Sequence, residues 1–258
     1  VARAAGQNLG AFLGGDADRE MHTDYTVSLG SIEEMVAQAQ WIVAQGFPVV
    51  KIKLGAGIED LERVRWISVA VGPDVPLRLD ANQGWSTSLA REILPQLAGY
   101  NIQHLEAPIP RRDFLDLPAL RALSPVPLMA DEACWDHEDA ARLIRLGAVD
   151  RINVKLGKSG GLFKALKILR LAEAHVIPLQ VGGFLESRLG FTAAAHLACC
   201  SSQVRFYDFD TPLMQASNPV SGGITYGRGG RVFLPQGMGL GATIDAGYLK
   251  ACAVITVP

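Results

Sequence analysis

The sequence predicts an α/β protein built as a (β/α)₈ barrel of the TIM type. Short apolar runs alternate with longer segments of helical periodicity, and eight such runs lie between residues 25 and 209. Strands that alternate with helices at this spacing are typical of parallel βαβ units, and eight units are the number that closes a barrel. The alternative is an open doubly wound sheet, but its phosphate-binding motif G-x-G-x-x-G does not follow the first predicted strand.

The predicted elements follow one another without interruption. Ser31 and Glu34 form a capping-box pattern at the start of the first helix, which ends at Gly46. Asp136 begins a later helix with an acidic first turn and a basic last turn, and Gly147 ends it. The predicted strands cover residues 25–29, 48–54, 77–80, 102–105, 127–130, 151–154, 177–181 and 205–209; the helices cover 31–46, 58–71, 87–98, 113–123, 136–147, 161–174 and 187–199.

Three segments are expected along the chain. Residues 1–22 contain four glycines and are interpreted as the end of a helix and a loop without a strand partner. Residues 23–215 form the barrel, with room for an irregular closure. Residues 216–258 are rich in glycine and short apolar runs, and we expect an irregular segment that packs on the barrel.

Composition narrows the class of protein. With 49% hydrophobic and 19% charged residues among 258, the chain is typical of a globular domain. The net charge of −2 and the absence of a Lys/Arg run argue against nucleic acid or an anionic membrane as partner. The four cysteines (Cys134, Cys199, Cys200 and Cys252) form no disulfide or C-x-x-C pattern, which favours a reducing, cytoplasmic setting.

Two lysines end the second predicted strand, in the stretch KIKLG. Lys51 and Lys53 are two residues apart, so their side chains point to the same face. Like charges this close can lower a lysine pKa toward the range that is useful for proton transfer. Taken alone, the pair is better described as two solvated lysines on an edge strand, and only the residues further along the chain favour a functional role.

Charged residues in fact end five consecutive predicted strands, at intervals of 24 to 27 residues. They occur in the motifs KIKLG, DAN, LEAP, ADE and INVK and are Lys53, Asp80, Glu106, Asp131 and Lys155. Equivalent positions on successive strands of a barrel form a ring at its carboxyl-terminal mouth, where barrel active sites lie.

The three carboxylates of this ladder predict a metal site. Asp80, Glu106 and Asp131 would converge from adjacent strands, and three buried anions need a cation. An all-oxygen ligand set favours Mg²⁺, because zinc would need His or Cys on the ladder. The alternative is that each carboxylate caps the helix that follows it.

The two lysines of the ladder lie on the second and sixth of eight strands, so they would face each other across the mouth. That geometry suits two-base chemistry on a carbon acid: one lysine removes an α-proton, the metal stabilises the ene-diolate, and the other lysine returns a proton to the opposite face. The alternative is that Lys155 is a surface residue at a strand end. Asn153, two residues earlier and also expected to point inward, argues against this alternative.

The ordered motifs K-x-K, DAN, LEAP, ADE and N-x-K resemble the enolase superfamily, specifically its muconate-lactonizing-enzyme subgroup, from Thr23 to Asp245. The seventh predicted strand ends in VGGFLES, without the His base of the mandelate-racemase branch. The stretch RFYDFDTPLM at 205–214 resembles the D-x-D motif of dipeptide epimerases of the L-Ala-D/L-Glu type, as does SGGITYG at 221–227.

The resemblance implies Mg²⁺-dependent epimerisation of dipeptides, with one Mg²⁺ per chain. It implies Lys53 and Lys155 as the acid/base pair with Lys51 as an electrostatic helper, and Asp80, Glu106 and Asp131 as metal ligands. It further implies Asp208 and Asp210 as partners of the substrate α-ammonium group, Thr26 and Glu186 as pocket residues, and Asn82, Glu132 and Asn153 as residues that support the ligands.

Two alternatives stay open. A muconate cycloisomerase or an o-succinylbenzoate synthase of the same subgroup would not need an ammonium-binding pair. A non-catalytic, metal-binding barrel or scaffold would bind Mg²⁺ without chemistry. The family also carries an α+β capping domain before the barrel, of which residues 1–22 resemble the end, so we expect a fragment that associates with a capping domain or forms a homo-oligomer.

Overall fold

Eight parallel strands form the centre of the fold. The computed structural model describes residues 1–16 and 18–254. The strands are β1 (Tyr25–Val27), β2 (Val50–Lys53), β3 (Leu77–Asp80), β4 (Ile102–Glu106), β5 (Leu128–Ala130), β6 (Arg151–Lys155), β7 (Leu179–Gly182) and β8 (Val204–Tyr207). They pair in sequence order, and every pair is parallel. This order confirms the barrel and excludes the doubly wound sheet, in which the strand order reverses.

The main helices lie where the sequence predicts them. They are α1 (Ile32–Ala44), α2 (Asp60–Val71), α3 (Thr87–Ile93), α4 (Leu117–Leu123), α5 (His137–Leu146), α6 (Leu162–His175) and α7 (Arg188–Ala198). A 3₁₀ turn, Leu94–Leu97, continues α3, and another, Arg111–Asp116, precedes α4. The part of the chain that the structure describes also contains four short helices, Leu9–Phe12, Leu156–Ser159, Thr211–Met214 and Ala246–Ala251.

The predicted helix ends are confirmed by their hydrogen bonds. Ser31 Oγ accepts from the Glu34 N–H, and the Glu34 carboxylate accepts from the Ser31 N–H, which completes the capping box of α1. Asp136 accepts from two backbone N–H groups of the first turn of α5. Gly147 ends α5 with a φ of 59°, a left-handed conformation that favours glycine.

The two faces of β2 and β3 differ in chemistry. Val50, Ile52, Leu77 and Leu79 point outward to the helices and are fully buried at 0% exposure. Lys51 and Arg78, the residues between them, point inward, where Lys51 reaches carboxylates on other strands. The main hydrophobic core therefore lies between the strands and the helices, and the barrel interior holds charged side chains together with apolar ones such as Phe206, whose ring lies beneath the Arg78 guanidinium.

The barrel closes irregularly between its first and last strands. The Asp24 N–H donates to the Tyr207 carbonyl at 3.3 Å. Beside it, the Phe209 N–H donates to Thr23 Oγ1 at 2.7 Å, and the Thr26 N–H donates to Asp210 Oδ2 at 2.8 Å. Side-chain oxygens thus replace part of the ladder at this seam.

Short antiparallel strands outside the barrel correct two expectations. Met21–His22 pairs with Arg231–Phe233, which also pairs with Thr225–Tyr226. The prediction that residues 1–22 have no strand partner is therefore wrong, because the partner lies about 200 residues later. Val220–Gly222 pairs with Ala242–Ile244, so the C-terminal segment is more regular than its glycine content suggests.

Within the described residues, no helix combines the length and the hydropathy that crossing a membrane would require.

Candidate active site

The charged residues at the ends of neighbouring strands lie side by side at the barrel mouth. Lys53 is opposite Asp80 in the register of β2 and β3, and Asp80 is opposite Glu106 in that of β3 and β4. Asp131 follows β5, and Lys155 is the last residue of β6. The three carboxylate residues are at most 1% exposed. The structure thus gathers all five positions in one charged region, in which the three carboxylates are buried.

Asp80 and Asp131 do not cap the helices that follow them. Asp80 Oδ1 accepts from the Asn82 N–H at 3.0 Å, while Ser86 caps α3. Asp136, rather than Asp131, caps α5. The helix-cap alternative is therefore wrong for Asp80 and Asp131.

Lys51 is a deeply buried cation of the region, at 1% exposure. Its Nζ lies 2.7 Å from Asp208 Oδ2, 3.1 Å from Glu106 Oε2 and 3.3 Å from Asp80 Oδ2. Burial alone would lower the pKa of Lys51, but the charges of these carboxylates outweigh it and raise the pKa well above its usual value. The expectation that the nearby charge of Lys53 lowers the pKa of Lys51 is wrong. Carboxylates on other strands surround Lys51, and their effect on its pKa is larger.

Lys53 occupies a more open position on the same face of β2. Its Nζ donates to Asp80 Oδ2 at 2.7 Å and to Asn82 Oδ1 at 3.0 Å. The side chain is 30% exposed, against 2% for Lys51. Of the two lysines in KIKLG, Lys53 is therefore the one that a molecule in the mouth can reach.

Lys155 lies four strands away from Lys53 in a ring of eight. Its Nζ donates to Asp131 Oδ2 at 2.6 Å and lies 5.2 Å from the centre of the Phe184 ring. Burial would lower the pKa of Lys155, but Asp131 and Glu106 outweigh it and raise the pKa. The strand order therefore places the two lysines on opposite sides of the barrel.

Glu106 is held as an ionised carboxylate. Asn153 Nδ2 donates to its Oε1 at 2.7 Å, and Gln180 Nε2 lies 3.3 Å from its Oε2. Burial raises the pKa of Glu106, but Lys51, Lys155 and Lys53 lower it well below the usual range. Sequence reasoning missed Gln180, whose signal is its inward position on β7.

A buried carboxylate oxygen tests whether the region suits a hard cation. Glu132 Oε2 is buried and has no hydrogen-bond partner among the described residues. Burial raises the pKa of Glu132, and so do the charges of Asp131, Asp80 and Glu106. A buried carboxylate oxygen without a partner in the described part of the chain therefore lies beside the three carboxylates, and an oxygen ligand set of this kind fits Mg²⁺.

A second carboxylate cluster lies at the seam of the barrel. Asp24, Asp208 and Asp210 offer oxygens within 4.8 Å of one another, close enough to hold a metal ion, and among the described residues no other carboxylate, His or Cys group of three meets this spacing. Sequence reasoning missed Asp24, whose signal is its position two residues before Thr26. The predicted trio does not meet this spacing, and lysine ammonium groups lie against its oxygens.

Two members of the seam cluster, Asp24 and Asp210, titrate differently from Glu106. Burial and the charge of Asp208 raise the pKa of Asp210 to about 6. Burial and Asp208 also raise the pKa of Asp24 well above its usual value, although Arg78 Nη1 lies 2.8 Å from its Oδ2. Protonation can therefore relieve the repulsion here, whereas Glu106 stays ionised and depends on cations.

The remaining predicted pocket residues have separate surroundings. The backbone of Thr26 orients Asp210. Glu186 Oε1 accepts from the Phe184 N–H at 3.3 Å, so the Glu186 carboxylate braces the loop after β7. Arg188 donates to the Val220 carbonyl, and this bond directs its guanidinium away from neutralising Asp208.

Lys158 is a further buried cation that sequence reasoning missed. It lies on the short helix after β6, and its Nζ donates to Asp131 Oδ1 at 2.6 Å. The signal in the sequence is its position three residues after Lys155, in a turn that also contains Gly157, Gly160 and Gly161.

Comparisons with known proteins identify the family of the chain. The family model described as enolase C-terminal domain-like matches residues 34–248. A D-Ala-D/L-Ala epimerase of Cytophaga hutchinsonii is 49% identical over 258 residues, which are 100% of this chain and 70% of the relative. An L-Ala-D/L-Glu epimerase of Bacillus subtilis is 40% identical over 96% of this chain and 68% of the relative.

A solved structure agrees over nearly the whole chain. It is the dipeptide epimerase from Cytophaga hutchinsonii complexed with Mg and the dipeptide D-Ala-L-Val, with a TM-score of 0.95 and 50% sequence identity. The match covers 96% of this chain and 68% of that one. The chain thus spans about two thirds of the length of the relatives that it matches.

Proposed function

Since the chain belongs to the enolase C-terminal domain-like family, in the enolase superfamily, we propose that it is an isomerase that epimerises dipeptides with the help of Mg²⁺. The observation that carries this proposal is the placement of Lys53 and Lys155 on β2 and β6, on opposite sides of a buried carboxylate cluster. The similarity to relatives named as dipeptide epimerases supports the choice of substrate class.

Asp80, Glu106 and Asp131 are the residues that would hold one Mg²⁺ ion. The ion would supply positive charge that stabilises the negative charge developing on a substrate carboxylate. Their burial and the partnerless oxygen of Glu132 support this assignment. Asn153 and Gln180 hold Glu106 in place by hydrogen bonds, which is the usual duty of residues behind a metal ligand.

The two lysines are proposed as the acid and the base. One nitrogen takes the α-proton from one face of the substrate carbon, and the other gives a proton to the opposite face. Lys53 Nζ is partly exposed and Lys155 Nζ lies beside Phe184, so both border the mouth. Lys51, surrounded by three carboxylates, has the role of a fixed charge rather than of a proton carrier.

Asp208 and Asp210 are proposed to bind the α-ammonium group of the dipeptide. With a pKa of about 6, the Asp210 carboxyl is ionised at neutral pH, and the Thr26 N–H fixes its orientation. Lys51 fixes Asp208 in the same way. An ammonium group beside two carboxylates gains charge-assisted hydrogen bonds.

We assign this chemistry to the barrel, residues 23–215, with the segments before and after it as supporting structure. The strand pairing of Met21–His22 with Arg231–Phe233 joins the two segments beside the barrel. The relatives are longer than this chain, and we propose their kind of activity for the whole protein.

Incubation with a panel of L,L-dipeptides and Mg²⁺, followed by chromatographic separation of diastereomers, tests the function. We expect conversion of at least one dipeptide, its loss on chelation, and its loss in Lys155→Met. A chain that binds Mg²⁺ but converts no dipeptide would overturn the proposal. Asp208→Asn and Asp210→Asn variants that keep full activity would instead favour a muconate cycloisomerase or o-succinylbenzoate synthase.

A further inference from the structure

Lys158 makes three hydrogen bonds from a buried position that none of the proposed roles explains. Its Nζ donates to Asp131 Oδ1 at 2.6 Å, to the Asp131 carbonyl at 2.6 Å and to the Asn153 carbonyl at 2.7 Å. The residue is 6% exposed. An ammonium group has three donors, so each donor of Lys158 has an acceptor and none faces the mouth.

Two of these bonds fix one residue, Asp131, at both its backbone and its side chain. The contact to the carbonyl anchors Lys158 to the end of β5, and the contact to Oδ1 then sets the orientation of the carboxylate. The third bond ties the same nitrogen to Asn153 on β6. Lys158 therefore joins the residue that follows β5 to a residue of β6 by hydrogen bonds, and Asp131 Oδ1 faces its ammonium group.

The other oxygen of Asp131 is left for the barrel interior. Asp131 Oδ2 lies 2.6 Å from Lys155 Nζ, on the side of the proposed chemistry. The two lysines thus divide the carboxylate between them, one oxygen each. Holding Oδ1 with an ammonium group fixes the orientation of the carboxylate and leaves Oδ2 on the side of Lys155.

The local backbone is built to bring Lys158 back to Asp131. The short helix Leu156–Ser159 ends at Gly160 with a φ of 72°, and Gly161 follows with a φ of 95°. Both values lie in the left-handed region that glycine adopts without strain. A side chain at Gly157 would meet the Phe184 ring at 3.1 Å, so the turn also packs tightly against the loop after β7.

We propose that Lys158 is a positioning residue that presents Asp131 to the metal ion. This inference rests on the proposed function for the identity of the metal site. It assigns Lys158 no contact with substrate and no proton transfer, and it separates Lys158 from Lys155, which shares the same carboxylate. Residues that support a ligand in this way change metal affinity about 10- to 100-fold when they are removed.

The test is a calorimetric titration of Mg²⁺ into the substrate-free chain. We expect Lys158→Met to weaken Mg²⁺ binding about 10- to 100-fold. Lys167→Met, which alters an exposed lysine on α6, is the matched control and should bind like the wild type. Lys158→Gln keeps a hydrogen-bond donor and carries the test if the Met variant does not fold.

A thermal melt separates positioning from a purely structural role. A structural role predicts that the variant loses the same amount of melting temperature with Mg²⁺ and with chelator. Positioning predicts that the rise in melting temperature on adding Mg²⁺ shrinks in the Lys158 variants and persists in the control. A folded Lys158 variant with Mg²⁺ affinity within twofold of the wild type overturns the inference.

The outcome is distinguishable from failure of the proposed function. A wild-type chain that binds Mg²⁺ but epimerises no dipeptide overturns the function and leaves the Lys158 inference to be decided by the titration. A wild-type chain that binds no Mg²⁺ overturns the inference, whatever its activity.

Discussion

Lys51 Nζ lies 2.7 Å from Asp208 Oδ2, and this contact joins the second and eighth barrel strands across the barrel interior. The same nitrogen reaches Glu106 on β4 at 3.1 Å. One buried cation therefore links the carboxylate proposed for the substrate ammonium group with a carboxylate proposed for the metal. We therefore expect a substitution at either carboxylate to change the electrostatic environment of the other.

Replacing Lys51 should destabilise the fold more than replacing its neighbour. Lys51→Met leaves three buried carboxylates without their common cation, which costs about 3–5 kcal/mol when one partner of a buried pair is removed. Lys53→Met, on the same face of β2 but 30% exposed, is the matched control and should cost about 1 kcal/mol or less. Urea unfolding of the two variants measures the difference, and equal losses would contradict this view of Lys51.

Asp210 and Asp208 should affect stability in opposite directions at neutral pH. The folded pKa of Asp210, about 6, is above its usual 3.8. The folded state therefore loses stability as pH rises from about 4 to 6, and Asp210→Asn should recover on the order of 2 kcal/mol at pH 7. The pKa of Asp208 is lowered because Lys51 and Lys155 outweigh the effect of its burial, so Asp208→Asn should destabilise.

Denaturant unfolding at pH 7 compares the two Asn variants, and both should also bind dipeptide more weakly. An Asp210→Asn variant that is less stable than the wild type at pH 7 would contradict the prediction that the ionised Asp210 carboxylate destabilises the fold.

His196 should make the fold sensitive to mild acid. Its Nδ1 accepts from the Gly10 N–H at 3.0 Å, and its Nε2 lies 3.1 Å from the Leu240 carbonyl, so the neutral ring joins two distant segments to α7. Burial lowers the pKa of His196 below its usual 6.5. The stability from this depressed pKa is fully present above about pH 6.5 and is lost as pH falls through the folded pKa.

Melting curves between pH 5 and 8 check this dependence. Below about pH 6.5 the melting temperature of the wild type should fall relative to that of His196→Gln, which shares all the other titrating groups. His196→Gln offers an acceptor and a donor without titrating, and its curve should be flatter over the same range. Parallel curves for the two proteins would assign the acid sensitivity to other groups.

The ladder of strand-end residues could be predicted because it depends on regular geometry. Side chains alternate along a strand, so the spacing of Lys53, Asp80 and Glu106 was sufficient to place them on one rim. The direction of the Lys51 pKa could not be predicted. Its neighbour in sequence is a lysine, whereas its neighbours in space are carboxylates from β3, β4 and β8.

Other residues carried only a weak local signal in the sequence. Lys158 reaches Asp131 because a helical turn after β6 folds back, and the glycines that permit the turn do not specify its target. Asp24 and Gln180 stand in no motif and are recognised by what surrounds them in the barrel. The strand at Met21–His22 depends on a partner that only the folded chain brings near.

The most direct measurement of the central claim is hydrogen exchange at the substrate α-carbon in D₂O, followed by ¹H NMR for the wild type, Lys53→Ala and Lys155→Ala. With Mg²⁺, the wild type should exchange and interconvert the L,L and L,D diastereomers of a substrate dipeptide. Each lysine variant should lose interconversion, with residual exchange confined to one diastereomer and to the opposite one in the other variant. A wild type that exchanges neither diastereomer, or a lysine variant that still interconverts them, would contradict the two-lysine account.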